Sequence, residues 1–148
     1  MVGTIEVMRK IYLDTCCVIY MIEEVPGFSE PTRLYLARNA DSLLCLSPLV
    51  KMECLVKPMA EQSVTLIEDY ELFIDKQIWL SVTDQDFTLA TRLRATKRIK
   101  TPDALHLAIA INSSCDEFWT NDDRLSRVAG DIAKNILNVS PLFLIFKG

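Results

Sequence analysis

Apolar residues fall along this chain in short bounded runs that alternate with stretches of helical spacing, a pattern that predicts strands and helices in turn. Residues 10 to 14 (KIYLD) read as a buried first strand ending in a carboxylate, and Thr15 can cap a helix that runs to about Glu24, before Pro26 and Gly27 break it. Pro31 sits at a plausible first helical position, for a helix reaching about Ala40. Leu43 to Leu46 is a second short strand. Ser47 and Pro48 then open a helix toward Pro58, with Leu49, Glu53 and Val56 on one side. An amphipathic stretch follows from about Glu61 to Asp75, then a brief strand over Ile78 to Val82. Thr83 begins the next helix and, with Asp86, makes a capping box. Thr101 and Pro102 start a nearly all-apolar helix through Ala110, which must be central. Glu117 to Thr120 is a strand, Asn121 or Asp122 starts another helix, and Ile136 to Val139 is expected to close the set as a final strand. The segment Pro141 to Phe146 is strongly apolar and can cover the core or a neighbouring subunit.

Four acids stand at the edges of these elements: Asp14 at a strand end, Glu53 on a partly apolar helix face, Asp103 in a helix's first turn and Asp122 two residues past a strand. Open α/β sheets place their chemistry at the carboxyl ends of their strands, so the layout predicts one acidic pocket. Carboxylates gathered there repel unless a hard divalent cation neutralises them, and Mg²⁺ or Mn²⁺ takes oxygen ligands while keeping waters. Such a cation activates water against a phosphodiester. Each acid also has a plainer reading. Glu53 fits an i, i+4 ion pair with Lys57, although a carboxylate on an apolar face favours a ligand. Asp103 fits a simple first-turn cap. Asp123 can stand in for Asp122. Asp84 and Asp86 are explained by the helix dipole and are left out of the site.

Composition narrows the chemistry. The 148 residues suit one domain spanning 1–148, half of them hydrophobic and 24% charged, a globular balance. No apolar run approaches the ~20 residues of a membrane span, and the start of the chain lacks a leader's basic-then-apolar plan, so a cytoplasmic protein without a membrane is expected. The five cysteines include no C-x-x-C pair and read as small core residues in a reducing compartment. One histidine, His106, excludes a two-histidine ribonuclease mechanism within one subunit, and it reads as packed or hydrogen-bonded rather than as a general base. The net charge of −4 weighs against nucleic acid, but Arg92, Arg94, Lys97, Arg98 and Lys100 crowd the segment before Asp103. That segment is either an RNA-binding patch or a solvated helix face.

Taken in order, the strand end Ile11-Tyr12-Leu13-Asp14-Thr15, the stretch from Ser47 to Glu53, the block Asp103 to Ala108 (DALHLA) and the element Thr120 to Asp122 resemble the PIN domain family, and within it the VapC-type toxin ribonucleases of toxin-antitoxin pairs. The resemblance runs nearly end to end. It implies a three-layer α/β/α sandwich with a central, mainly parallel sheet of four to five strands. It also implies an endoribonuclease in which Asp14, Glu53, Asp103 and Asp122 bind Mg²⁺ or Mn²⁺, supported by Thr15, Thr120 and Asp123. Its partners are then an RNA substrate and a cognate antitoxin; separately, the apolar half of the residues, the apolar segment Pro141 to Phe146 and the amphipathic early helices point to a homodimer that covers part of that surface.

Three alternatives bear on the same residues. A PIN nuclease of RNA maturation shares the site, although the compact length favours a toxin. A non-catalytic module uses the acids only as caps. A haloacid-dehalogenase-like phosphatase needs a second aspartate two residues after the first, where this chain has Cys16.

Overall fold

The computed structural model describes residues 8–137, so the apolar segment Pro141 to Phe146 lies outside the described residues. The elements are β1 (Lys10–Leu13), α1 (Thr15–Ile22), α2 (Ser29–Arg38), β2 (Leu43–Leu46), α3 (Pro48–Ala60), α4 (Val64–Asp75), β3 (Ile78–Trp79), α5 (Asp84–Lys97), α6 (Thr101–Asn112), β4 (Glu117–Thr120), α7 (Asp123–Ala129) and β5 (Ala133–Asn135). The five strands form one sheet in the order β3-β2-β1-β4-β5. Every pairing in it is parallel, with Tyr12 opposite Cys45 on one side and Phe118 on the other.

Connectivity decides where the chemistry can sit. From β1 the chain moves through β2 to the edge strand β3, then returns across the sheet to β4 and β5. Right-handed crossovers therefore put α1 to α4 on one face and α5 to α7 on the other. The packing agrees, because α1 meets α2, α3 and α4, while α5 packs against α6. The direction of winding reverses between β1 and β4, and at such a reversal the connections diverge to leave a crevice at the carboxyl ends. Asp14 follows β1 and Asn121 follows β4.

The core explains why short strands suffice. Ile11, Tyr12, Leu13, Cys45, Leu46, Phe118 and Trp119 are all fully buried, as a parallel sheet covered on both faces requires. Tyr12 and Phe118 stack at 5.5 Å between ring centroids, and Tyr35 meets Trp119 edge-on at 4.8 Å. The central α6 buries Ala104, His106, Leu107, Ala108, Ile109 and Ala110. The cysteines are free thiols. No helix among the described residues is long and apolar enough to cross a membrane.

Several boundaries differ from the sequence expectation, each for a local reason. Helix α1 is capped by Asp14, whose carboxylate accepts from the Thr15 amide, rather than by Thr15. Helix α2 begins at Ser29, not Pro31, because the Ser29 hydroxyl donates to the Glu23 carbonyl and accepts from the Val25 amide, closing the preceding turn early. Helix α3 carries Pro58 inside its last turn. β3 stops at Trp79, after which the Leu80 amide still reaches the Leu46 carbonyl at 2.8 Å. The last described strand is Ala133–Asn135, upstream of the expected Ile136 to Val139; Ile136 is buried in the turn beyond it, and Val139 lies outside the described residues. The capping box of Thr83 and Asp86 is present, and Asp86 also accepts from Asn112, tying α5 to α6.

Candidate active site

Asp14 is the hub of the crevice. It is 9% exposed, and its carboxylate accepts from the Thr15 amide at 2.8 Å through one oxygen and from the Thr120 hydroxyl at 2.8 Å through the other. Thr120 in turn accepts from the Asp122 amide at 3.1 Å. This fixes the turn leaving β4 against the end of β1. Asp122 is the N-cap of α7, accepting from the Leu125 amide at 3.0 Å, so one of its oxygens serves the helix. Asp123 instead accepts from Asn135 at 2.6 Å, on the side facing β5.

Glu53 is held by a relay that crosses the sheet. Its Oε1 accepts from the Thr15 hydroxyl at 2.6 Å and meets His106 Nε2 at 2.5 Å. His106 Nδ1 lies 2.7 Å from the Tyr12 hydroxyl, which lies 2.7 Å from Ser47 Oγ. Ser47, Tyr12 and His106 are all buried. With a neutral imidazole, the carboxylate requires Nε2–H as donor, so Tyr12 donates to Nδ1 and accepts from Ser47. The hydrogen bond from His106 is the main reason the Glu53 carboxyl is held below its usual range; burial opposes it and Thr15 assists it. The partner that compensates Glu53 is thus His106 with Thr15. His106 Nε2 also lies 3.8 Å from Asp14, which links the relay to the hub.

Asp103, in the first turn of α6, faces the same region from the other layer. Burial raises its carboxyl above the ordinary aspartate range, and the negative charges of Asp14 and Asp122 raise it further. Its side chain lines a recess of about 120 Å³ with Ile99, Lys100, Asp122, Arg124 and Leu125. Asp122 also borders a more open cleft shared with Asp14, Cys16, Tyr20, Asn121 and Asp123. Asp122 thus borders both the recess of Asp103 and the cleft of Asp14, whereas Glu53 joins through Thr15 and His106. Among the described residues, no three His, Cys, Asp or Glu side chains close around one metal-sized point.

The basic segment does not form one stripe. Arg92 and Arg94 stand about 200° apart around α5, on either side of the buried Leu93. Arg94 donates to the Ile99 carbonyl, and Arg98 ends the helix in a left-handed conformation with its carbonyl held by Arg124. Lys97 is exposed, and only Lys100 of the five reaches the recess.

The structure adds Tyr12, Ser47, Tyr20, Asn121 and Arg124 to the site's surroundings. Arg124 follows the acidic pair in NDDR, and its place in a first helical turn is a sequence signal, since a cation there opposes the helix dipole and needs another reason to be present. Tyr12 carried a signal too: a phenol inside a fully buried strand requires a partner. Nothing local marks Ser47 as that partner.

Residues 11–131 match the sequence profile of the PIN domain. No curated protein sequence matches the chain. Among solved structures, the fold is similar to that in the VapBC2 complex of Rickettsia felis bound to a promoter DNA fragment, with a TM-score of 0.68 and 18% identity over 84% of this chain and 97% of that one. It is also similar to FitAcB from Neisseria gonorrhoeae, with a TM-score of 0.66 and 15% identity over 87% and 99%. A third likeness is to the DNA-bound VapBC of Salmonella typhimurium, with a TM-score of 0.63 and 22% identity over 86% and 98%.

Proposed function

Because this chain belongs to the PIN domain family, we propose that it is a Mg²⁺- or Mn²⁺-dependent endoribonuclease, the VapC-type toxin of a toxin-antitoxin pair. The observation that carries the reading is the convergence of Asp14, Asp103 and Asp122 at the winding reversal, with the Asp103 carboxyl raised by burial and by its two acidic neighbours. Hard oxygen donors that burden one another in this way suit a hard divalent cation. Asp14, Asp103 and Asp122 would hold it, with Glu53 as a further acid through Thr15 and His106. When bound, it supplies charge neutralisation and a polarised water.

The chain's own residues do the positioning. Thr120 fixes the Asp14 carboxylate and the turn that presents Asp122, so two acids from distant segments share one orientation. His106 and Thr15 together keep Glu53 ionised and pointed. Lys100 and Arg124 bring positive charge to the recess beside Asp103, which favours an approaching phosphate; Arg92, Arg94, Lys97 and Arg98 add attraction at longer range.

A protein partner is supported by surface chemistry. Met52, Val56 and Met59 recur at helical spacing along α3 and are 57%, 62% and 57% exposed, and Val64 at the start of α4 is 66% exposed. A stripe of this kind suits coverage by a second copy or by an antitoxin. The similar structures are two-component VapBC and FitAB assemblies, which supports an antitoxin here.

The test is cleavage of single-stranded RNA by the purified protein with and without Mg²⁺ or Mn²⁺. Cleavage should require the cation and disappear in Asp14→Asn, which keeps an oxygen to accept from Thr120 and so should stay folded. Undiminished cutting in excess EDTA, or by Asp14→Asn, rules the reading out.

A further inference from the structure

We infer that Phe28, stacked on Tyr20 beside the acidic cleft, is a platform on which an unpaired base of the RNA lies next to the phosphate being cut; the inference rests on the nuclease reading above. Tyr20 is part of the cleft wall, together with Asp14, Cys16, Asn121, Asp122 and Asp123. Its hydroxyl accepts from the Asn121 side chain at 3.1 Å, so the ring is tied to the turn that carries Asp122. Phe28 lies over Tyr20 with ring centroids 5.1 Å apart and planes 20° from parallel. One face of the Phe28 ring is therefore covered by Tyr20. The residue nevertheless remains 39% exposed.

The backbone around Phe28 is unusually well fixed for a surface aromatic. Gly27 before it takes a φ of 83°, a conformation glycine adopts without strain. Ser29 after it is buried and holds the turn through the Glu23 carbonyl and the Val25 amide. A partly exposed aromatic ring, stacked on a residue of the cleft where a phosphate would bind, matches what single-stranded nucleic acid requires. Every base has a π-face, and stacking on an aromatic contributes affinity without reading sequence. A base already paired in a duplex has both faces occupied by its neighbours. The platform thus selects loops and unpaired stretches, the form in which RNA exposes its bases.

The experiment uses an oligoribonucleotide carrying 2-aminopurine, whose fluorescence is quenched when the base stacks. Binding is followed in EDTA, where no cutting occurs, and cleavage is followed separately with Mn²⁺. Phe28→Ala and Phe28→Leu should abolish the extra quenching and raise KM about tenfold, with kcat nearly unchanged; Phe28→Trp should behave like the unaltered protein. A tenfold change corresponds to ~1.4 kcal/mol, within the range of ~1–3 kcal/mol for one stacked base. Phe28→Leu guards against a folding defect, since it keeps apolar bulk on Tyr20 while removing the aromatic face. Unchanged quenching and KM in Phe28→Leu, or a loss in kcat alone, overturns the platform while leaving the nuclease intact. Equal losses in Phe28→Trp and Phe28→Leu overturn it as well, because they would mean that shape rather than a π-face matters. If the unaltered protein binds and cuts no RNA with either cation, the nuclease reading itself fails.

Discussion

Removing one oxygen atom, by Tyr12→Phe, isolates the relay behind Glu53 from the packing around it. The ring of Tyr12 keeps its stack on Phe118 and its edge contact with His106 at 5.6 Å in the substituted protein, so no cavity opens. What is lost is the hydroxyl that bonds Ser47 Oγ and His106 Nδ1, each at 2.7 Å. A buried neutral hydrogen bond contributes ~0.5–1.5 kcal/mol net, and stranded partners cost more. Two such bonds, with Ser47 fully buried and His106 nearly so, give a destabilisation of ~2 kcal/mol. For a chain of this size that lowers Tm by roughly 6 °C. The assay is thermal unfolding in EDTA, so that bound metal does not mask the change. Burial pushes the Tyr12 phenol far above its ordinary value, so it remains an O–H donor and the Tm difference should stay flat on the alkaline side, from about pH 8 to pH 9. A double-mutant cycle with Ser47→Ala should show coupling of ~0.5 kcal/mol or more, because both changes remove the same bond. Cleavage should fall about tenfold, as His106 loses the partner that holds its ring against Glu53. A Tm within about 2 °C of the unaltered protein would refute the reasoning, as would strict additivity with Ser47→Ala.

Asp103→Asn should raise the urea midpoint of the metal-free protein at pH 7. The folded carboxyl is raised, so the native state favours the protonated form, and stability present below the unfolded value of about 3.9 is lost as pH rises through the folded one. The advantage should vanish near pH 3.5 and reverse in saturating Mg²⁺; a lower midpoint at pH 7 in EDTA contradicts the crowding of Asp103 by Asp14 and Asp122. Lys100→Gln combined with Arg124→Gln should reduce the salt slope of RNA binding by about 1 to 2, whereas Arg92→Gln should leave it nearly unaltered. Equal effects would mean that the charge of the whole segment matters rather than the two side chains at the recess.

The elements most legible in the sequence are those whose pattern and position coincide. Leu43–Leu46 and Glu117–Thr120 are strands at their expected limits, because each is bounded by turn-forming or capping residues and buried on both faces. β5 was hidden, since Ala133-Lys134-Asn135 has no apolar run. Its pairing is supplied by the free edge of β4, while the more apolar Ile136 fills the core from the following turn. Sequence order also suggested that a strand-end aspartate, a helix-start aspartate and a post-strand aspartate share one pocket; in the fold Asp122 borders both the recess of Asp103 and the cleft of Asp14. It did not reveal the Glu53–His106 contact, which joins residues 53 positions apart through side chains alone. Nor does a run of basic residues specify a surface, since helical rotation sends Arg92 and Arg94 to opposite flanks.

The hydrogen bond between Thr120 and Asp14 spans 106 positions, and β1 has its second neighbour only once β4 is in place. A chain emerging from the ribosome therefore carries Asp14 without the strand that orients it until Thr120 has followed. Contacts this distant in sequence form late and slowly. Asp14 gains its Thr120 partner, and Asp122 its place beside it, only after the segment carrying Thr120 and Asp122 has cleared the exit tunnel. For a protein proposed to cut RNA, that order delays activity until the segment that completes the crevice has emerged. Until then, the apolar edge of β1 is exposed, and a partner present during synthesis has its longest opportunity to bind.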